Sequence, residues 1–146
     1  LRWNGANWTH FGPDQGLEPP ANPESDVRIR RFAQDTNGVI WAAGSQRGLL
    51  RFAPEGNRWH REDVLGEADI RGVAAFADGS VWAAGPHMIA SSPKDRSGWV
   101  LQGRSETTIG SDTGSLVQDG SGRVWIGAYD GGVSVFERTG WRALQR

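Results

Sequence analysis

The 146-residue chain contains no cysteine, which excludes disulfide staples and thiolate metal sites. Methionine and tyrosine occur once each. No apolar run approaches the roughly 18 residues that a membrane-spanning helix needs; the longest, such as residues 39–43, are strand-sized. An excess of one charge is also lacking. Sixteen Lys and Arg face 17 Asp and Glu, for a net charge of −1, so no bulk attraction to nucleic acid and no insertion into a membrane is expected. The chain opens on Leu1 with no signal-peptide apolar core, and we read it as a segment cut from a longer protein.

Glycine and tryptophan are abundant, at 21 and 8 residues. Many glycines imply many turns, and many indoles imply flat side chains filling shallow layers. Trp41, Trp82 and Trp125 are spaced 41 and 43 residues apart, each within similar text. The three copies read Gln34-Asp35-Thr36-Asn37-Gly38-Val39-Ile40-Trp41, Ala77-Asp78-Gly79-Ser80-Val81-Trp82 and Gln118-Asp119-Gly120-Ser121-Gly122-Arg123-Val124-Trp125. Gly38, Gly79 and Gly122 each precede the Trp by three positions and mark hairpin turns. Gly48 and Gly132 follow it by seven residues, and Phe52 and Phe136 by eleven. A later Trp (Trp59, Trp99 or Trp141) opens a fourth strand, and the middle unit lacks the Gly and the Phe.

Four short antiparallel strands per roughly 42 residues is the pattern of a β-propeller blade. Both phases of the second strand are apolar (Val39, Trp41 and Ala43 on one, Ile40 and Ala42 on the other), as face-to-face stacking requires. The fold class is therefore all-β, with three full four-stranded blades over 26–63, 67–103 and 112–146. A partial N-terminal blade occupies 1–20, because Leu1-Arg2-Trp3 matches Leu50-Arg51-Phe52 and Trp8 matches the fourth-strand Trp. The whole of 1–146 is a single propeller segment. Propellers close with roughly four to eight blades, so the ring is completed by the rest of a parent protein or by further copies, and a homo-oligomer is one expectation.

The text Gln118 to Gly127, followed by Gly131-Gly132-Val133-Ser134-Val135-Phe136 and Trp141, resembles the two-component regulator propeller repeat. The resemblance spans nearly the whole chain. It implies the periplasmic or extracellular sensor region of a bacterial two-component signalling protein. Streptogramin-lyase-like propellers carry related Asp-x-x-Gly-x-x-Trp text, and residues 92–99 bear a distant likeness to the Asp box of sialidase-type propellers.

Trp41, Trp82 and Trp125, like Gly38, Gly79 and Gly122, recur at equivalent places and are read as structural; so are the fourth-strand Trp8, Trp59, Trp99 and Trp141. Asp35, Asp78 and Asp119 are read as turn-tying carboxylates. His10, His60 and His87 share no metal-ligand spacing, so no metal, cofactor or catalytic residue is assigned. Ligand-binding candidates are Arg47, His87, Tyr129 and Asp130, in the loops between second and third strands, where a rigid scaffold carries recognition. Arg28 and Arg30, entering an inner strand on one side, are candidates for an anionic ligand. The expected function is non-catalytic sensing of a small molecule or glycan, or binding of a protein. The alternatives are a fragment that self-assembles into a closed ring, or a lyase- or glycosidase-type catalytic propeller.

Overall fold

The computed structural model describes residues 1–19, 28–66, 69–103, 113–128, 132–137 and 140–144. In these residues, strands and turns account for almost all regular structure. A two-stranded hairpin, β1 (Arg2–Trp3) and β2 (Trp8–Thr9), comes first. The next sheet holds β3 (Ile29–Gln34), β4 (Ile40–Gly44), β5 (Gly48–Ala53) and β6 (Arg58–Glu62) in chain order. The third holds β7 (Gly72–Ala75), β8 (Val81–Ala84), β9 (Ile89–Ser92) and β10 (Val100–Gly103). The fourth holds β11 (Thr113–Gln118), β12 (Val124–Ala128), β13 (Gly132–Glu137) and β14 (Gly140–Leu144). Every pairing is antiparallel. The chain is an all-β array of propeller blades.

The turn between the first two strands of each blade is built the same way three times. The Gly38 N–H donates to the Asp35 carbonyl (3.0 Å) and the Asp35 N–H to the Val39 carbonyl (3.0 Å). Phe76, Gly79 and Ser80 repeat the pattern, as do Asp119, Gly122 and Arg123. Only the glycine takes positive φ, at 82°, 86° and 80°; Asn37, Asp78 and Ser121 do not share it. The geometry is a three-residue loop closed by a left-handed glycine.

The three aspartates, alike as turn residues in the sequence, are not equivalent. Asp35 and Asp119 stand six residues before their Trp, whereas Asp78 stands four before Trp82. Asp35 and Asp119 accept backbone N–H groups within their turns and also the indole N–H of Trp41 (3.0 Å) and Trp125 (2.8 Å). Asp78 caps only its own turn, through the Ser80 N–H at 2.8 Å, and accepts Gln118 Nε2 from the next blade. Phe76 occupies the matching place in the middle blade and packs on Trp82 at 6.3 Å.

Two apolar seams hold the blades together. The first joins Trp41, Ala43 and Leu49 to Val73, Val81, Ala83 and Ala90. The second joins Ala74, Trp82, Ala84 and Ile89 to Val124 and Ile126. The indole of each second strand therefore faces the following blade. Trp41 and Trp82 are buried as expected. Trp125 is only half-buried, because no described blade follows it. Trp8, expected to pack, is 65% exposed, because among the described residues no sheet covers the hairpin face that carries it.

Arg96, in the connection between β9 and β10, bolts the first seam. Its Nη2 donates to Asp35 Oδ2 at 2.7 Å, its Nη1 to the carbonyls of Gly79 (2.9 Å) and Pro93 (2.7 Å), and its guanidinium lies 5.4 Å from the Trp41 ring centre. Burial alone would raise the Asp35 pKa. Hydrogen bonds from Arg96, Trp41, Asn37 and Val39 outweigh it and hold the carboxyl below its usual 3.8. A depressed carboxyl pKa contributes stability that is present above the unfolded value and lost as pH falls below it. Asp35→Ala, which strands a partly buried guanidinium, is expected to cost about 3 kcal/mol, read as a lower urea midpoint at neutral pH. Asp35→Asn should also flatten the loss of stability below pH ~4; an unchanged acid limb would remove Asp35 as its source. Gly38→Ala, at a position held at φ 82°, should cost about 1–2 kcal/mol in the same denaturation assay.

Candidate functional site

The first strands β3, β7 and β11 lie nearest one another, so they are the inner strands. Residues toward their C-terminal ends line an open channel of about 590 Å³. At their N-terminal ends lies a second cleft, of about 380 Å³, lined by Arg30, Arg31 and Arg71 together with Thr113, Gly114, Ser115 and the end of β12.

Repeated bulges build this cleft. The β3–β4 register shifts between Ile29 and Arg31, leaving Arg30 as the extra residue. The β11–β12 register shifts between Thr113 and Ser115, leaving Gly114. Arg71, just before β7, donates its N–H to the Ala84 carbonyl (2.8 Å), which is also opposite Gly72. A bulge places consecutive side chains out of strict alternation. Arg30 and Arg31 therefore both line the cleft, whereas period-two reading had set Arg28 and Arg30 together on one side.

Each guanidinium is oriented by neighbours. Arg30 Nε donates to Ser45 Oγ at 2.8 Å. Arg31 Nε donates to the Gly114 carbonyl across the array (3.3 Å), and its Nη1 to the Arg30 carbonyl (3.0 Å). Arg71 Nε and Nη2 both lie 3.0 Å from Asp69 Oδ2. The described lining thus holds three arginines from two blades and no carboxylate.

The other candidates surround this cleft unequally. Arg28 is exposed, and its carbonyl accepts the Ser45 N–H at 3.0 Å. That approach needs Gly44, where a Cβ would stand 2.8 Å from the same oxygen. Arg47 is half-buried in the turn after β4. It is close to Ser45, which steers Arg30, but it does not line the cleft. His87 is exposed in the turn after β8, where the Gly85 carbonyl accepts a hydrogen bond from the Thr113 hydroxyl at 3.2 Å; it too does not line the cleft. Tyr129 and Asp130 fall outside the described residues.

Arg31 belongs to the basic cluster Arg28, Arg30 and Arg31, but strand alternation sets it on the other side from Arg28 and Arg30; Arg71 was missed in the sequence. A signal existed for Arg71: like Arg30, it stands eleven residues before its blade's Trp, and Gly114 holds that place before Trp125. Among the described residues, no group of three or more His, Asp or Glu is placed to hold a metal ion.

No protein-family model matches the chain, and no curated protein matches it. Solved structures do. The extracellular domain of BT4673 from B. thetaiotaomicron, described as a hybrid two component system, superposes with a TM-score of 0.61 at 16% identity over 75% of this chain and 17% of that one. A second structure of that domain, described as a one component system, gives 0.66 at 14% identity over 80% and 18%. The extracellular domain of BT3049 from the same organism, a hybrid two component system, gives 0.56 at 22% identity over 81% and 16%. The chain spans less than a fifth of the length of each of these domains. The likeness lies in the fold: this chain is a run of β-propeller blades.

Proposed function

We propose that the chain is a non-catalytic recognition segment of an extracytoplasmic bacterial sensor, and that it binds an anionic group at the Arg30–Arg31–Arg71 cleft. The carrying observation is that Arg30, Arg31 and Arg71, from two blades, line one cleft at the inner ends of the blades. A guanidinium fork matches the oxygens of carboxylate, sulfate or phosphate groups. The fold likeness to extracellular domains of signalling systems supports the sensor setting. A catalytic reading needs an acid and a base facing one substrate, and the described lining supplies neither a His nor a carboxylate.

The position suits signalling. Arg30 and Arg31 belong to one blade and Arg71 to the next, so an anion held by all three links two blades. Its binding energy then favours the blade packing that brings the arginines together.

Citrate is a suitable probe, with sodium chloride at matched ionic strength as the control. Citrate should raise the melting temperature, corresponding to about 2.7 kcal/mol at 100 times its Kd. The double variant Arg30→Gln, Arg71→Gln should lose that response. Arg31→Ala should weaken it while costing no more than about 1 kcal/mol of stability in the absence of ligand. A wild-type protein indifferent to citrate, or a double variant that responds equally, would sink the assignment.

A further inference from the structure

One aromatic contact recurs at both internal seams. At the first, Trp41 meets Trp99 edge to face, with centroids 6.2 Å apart and planes at 83°. At the second, Trp82 meets Trp141 at 6.3 Å and 81°, and Phe136 at 5.3 Å. Each time the second-strand indole faces forward and the outer-strand aromatics of the following blade face back.

The two ends of the array carry the two separated halves of this contact. On the last sheet, Trp125 shares its outward face with Val117 and Val133, which are 60% and 42% exposed. On the first hairpin, Trp3 and Trp8 are cross-strand partners with ring centres 5.4 Å apart. They lie on the face opposite Arg2, whose guanidinium sits over Phe11 and Phe52 of the interior. Trp3 and Trp8 are thus the counterparts of Phe136 and Trp141, with Trp3 51% exposed.

We propose that a second copy of this chain docks head to tail, with the Trp3–Trp8 face of one copy on the Trp125 face of the other. Three observations fit this occupant. The halves differ and are complementary, as a heterologous interface requires. The internal seams supply the template, with apolar strand residues flanking each indole pair. The polar requirement also matches. At the first seam the following blade supplies Arg96 to the Asp35–Trp41 pair. At the last sheet, Arg123 already fills that seat from within the blade, 2.7 Å from Asp119 Oδ2 and 5.5 Å from the Trp125 ring centre. The loop of the docking hairpin, Asn4-Gly5-Ala6-Asn7, brings no arginine and needs none. With four sheets per copy, two copies bring eight blade positions, the upper end of the roughly four to eight over which propellers close.

Light scattering coupled to size exclusion tests this on the whole chain. The expected particle has twice the 15.9 kDa chain mass. Trp8→Lys and Val117→Lys change exposed side chains, so each should keep the wild-type far-ultraviolet circular dichroism yet elute as a monomer. Mixing the two variants should restore a dimer, because each retains the half that the other has lost. A wild-type monomer up to its solubility limit would overturn the proposal and leave the faces to another blade or partner. Variants that remain dimeric, or a mixture that stays monomeric, would overturn it equally, since neither is compatible with a head-to-tail Trp contact.

Discussion

A blade of four short strands is too thin to hold a core of its own, and every other feature follows from the need to cover both of its faces. The second-strand indole is where that need is concentrated. It must be buried against the next blade, and its N–H must be satisfied as it goes in. In the first full blade one carboxylate does both tasks: Asp35 accepts the Trp41 indole, pins the turn and receives Arg96 from the neighbour. Turn, strand and seam are thereby locked through one side chain, so the hairpin and its docking are formed together.

The middle blade shows that the packing can be solved in another way. Phe76 replaces the carboxylate and covers Trp82 by ring contact, while Ser92 stands opposite Val81 where Phe52 stands opposite Ile40. On the opposite face of the same blade, Phe136 and Trp141 of the following blade both meet Trp82.

Seam and cleft are mechanically continuous. The inner strand that carries Arg30 and Arg31 begins at a bulge, and their side chains are steered by Ser45 and by the Gly114 carbonyl from other elements. A ligand held there, as proposed above, would be sensitive to the spacing of the blades, and the blades to the ligand, because both depend on the same inner strands.

The sequence by itself determined the repeat, the four-strand unit and the left-handed glycines. Each of these is local: Gly38, Gly79 and Gly122 are chosen by backbone φ, and apolar residues in both strand phases declare a sheet covered on both sides. Only the tertiary structure decided which indoles are buried, because Trp8 and Trp125 read like their counterparts and differ only in having no described sheet opposite them. It also separated Asp78 from Asp35 and Asp119, a distinction set by where the carboxylate sits relative to the indole. The cleft was legible only in part. Arg30 was visible as a cation on an inner strand, but its meeting with Arg31 and Arg71 depends on bulges and on the stacking of blades about 40 residues apart in the chain, and neither leaves a mark in strand periodicity.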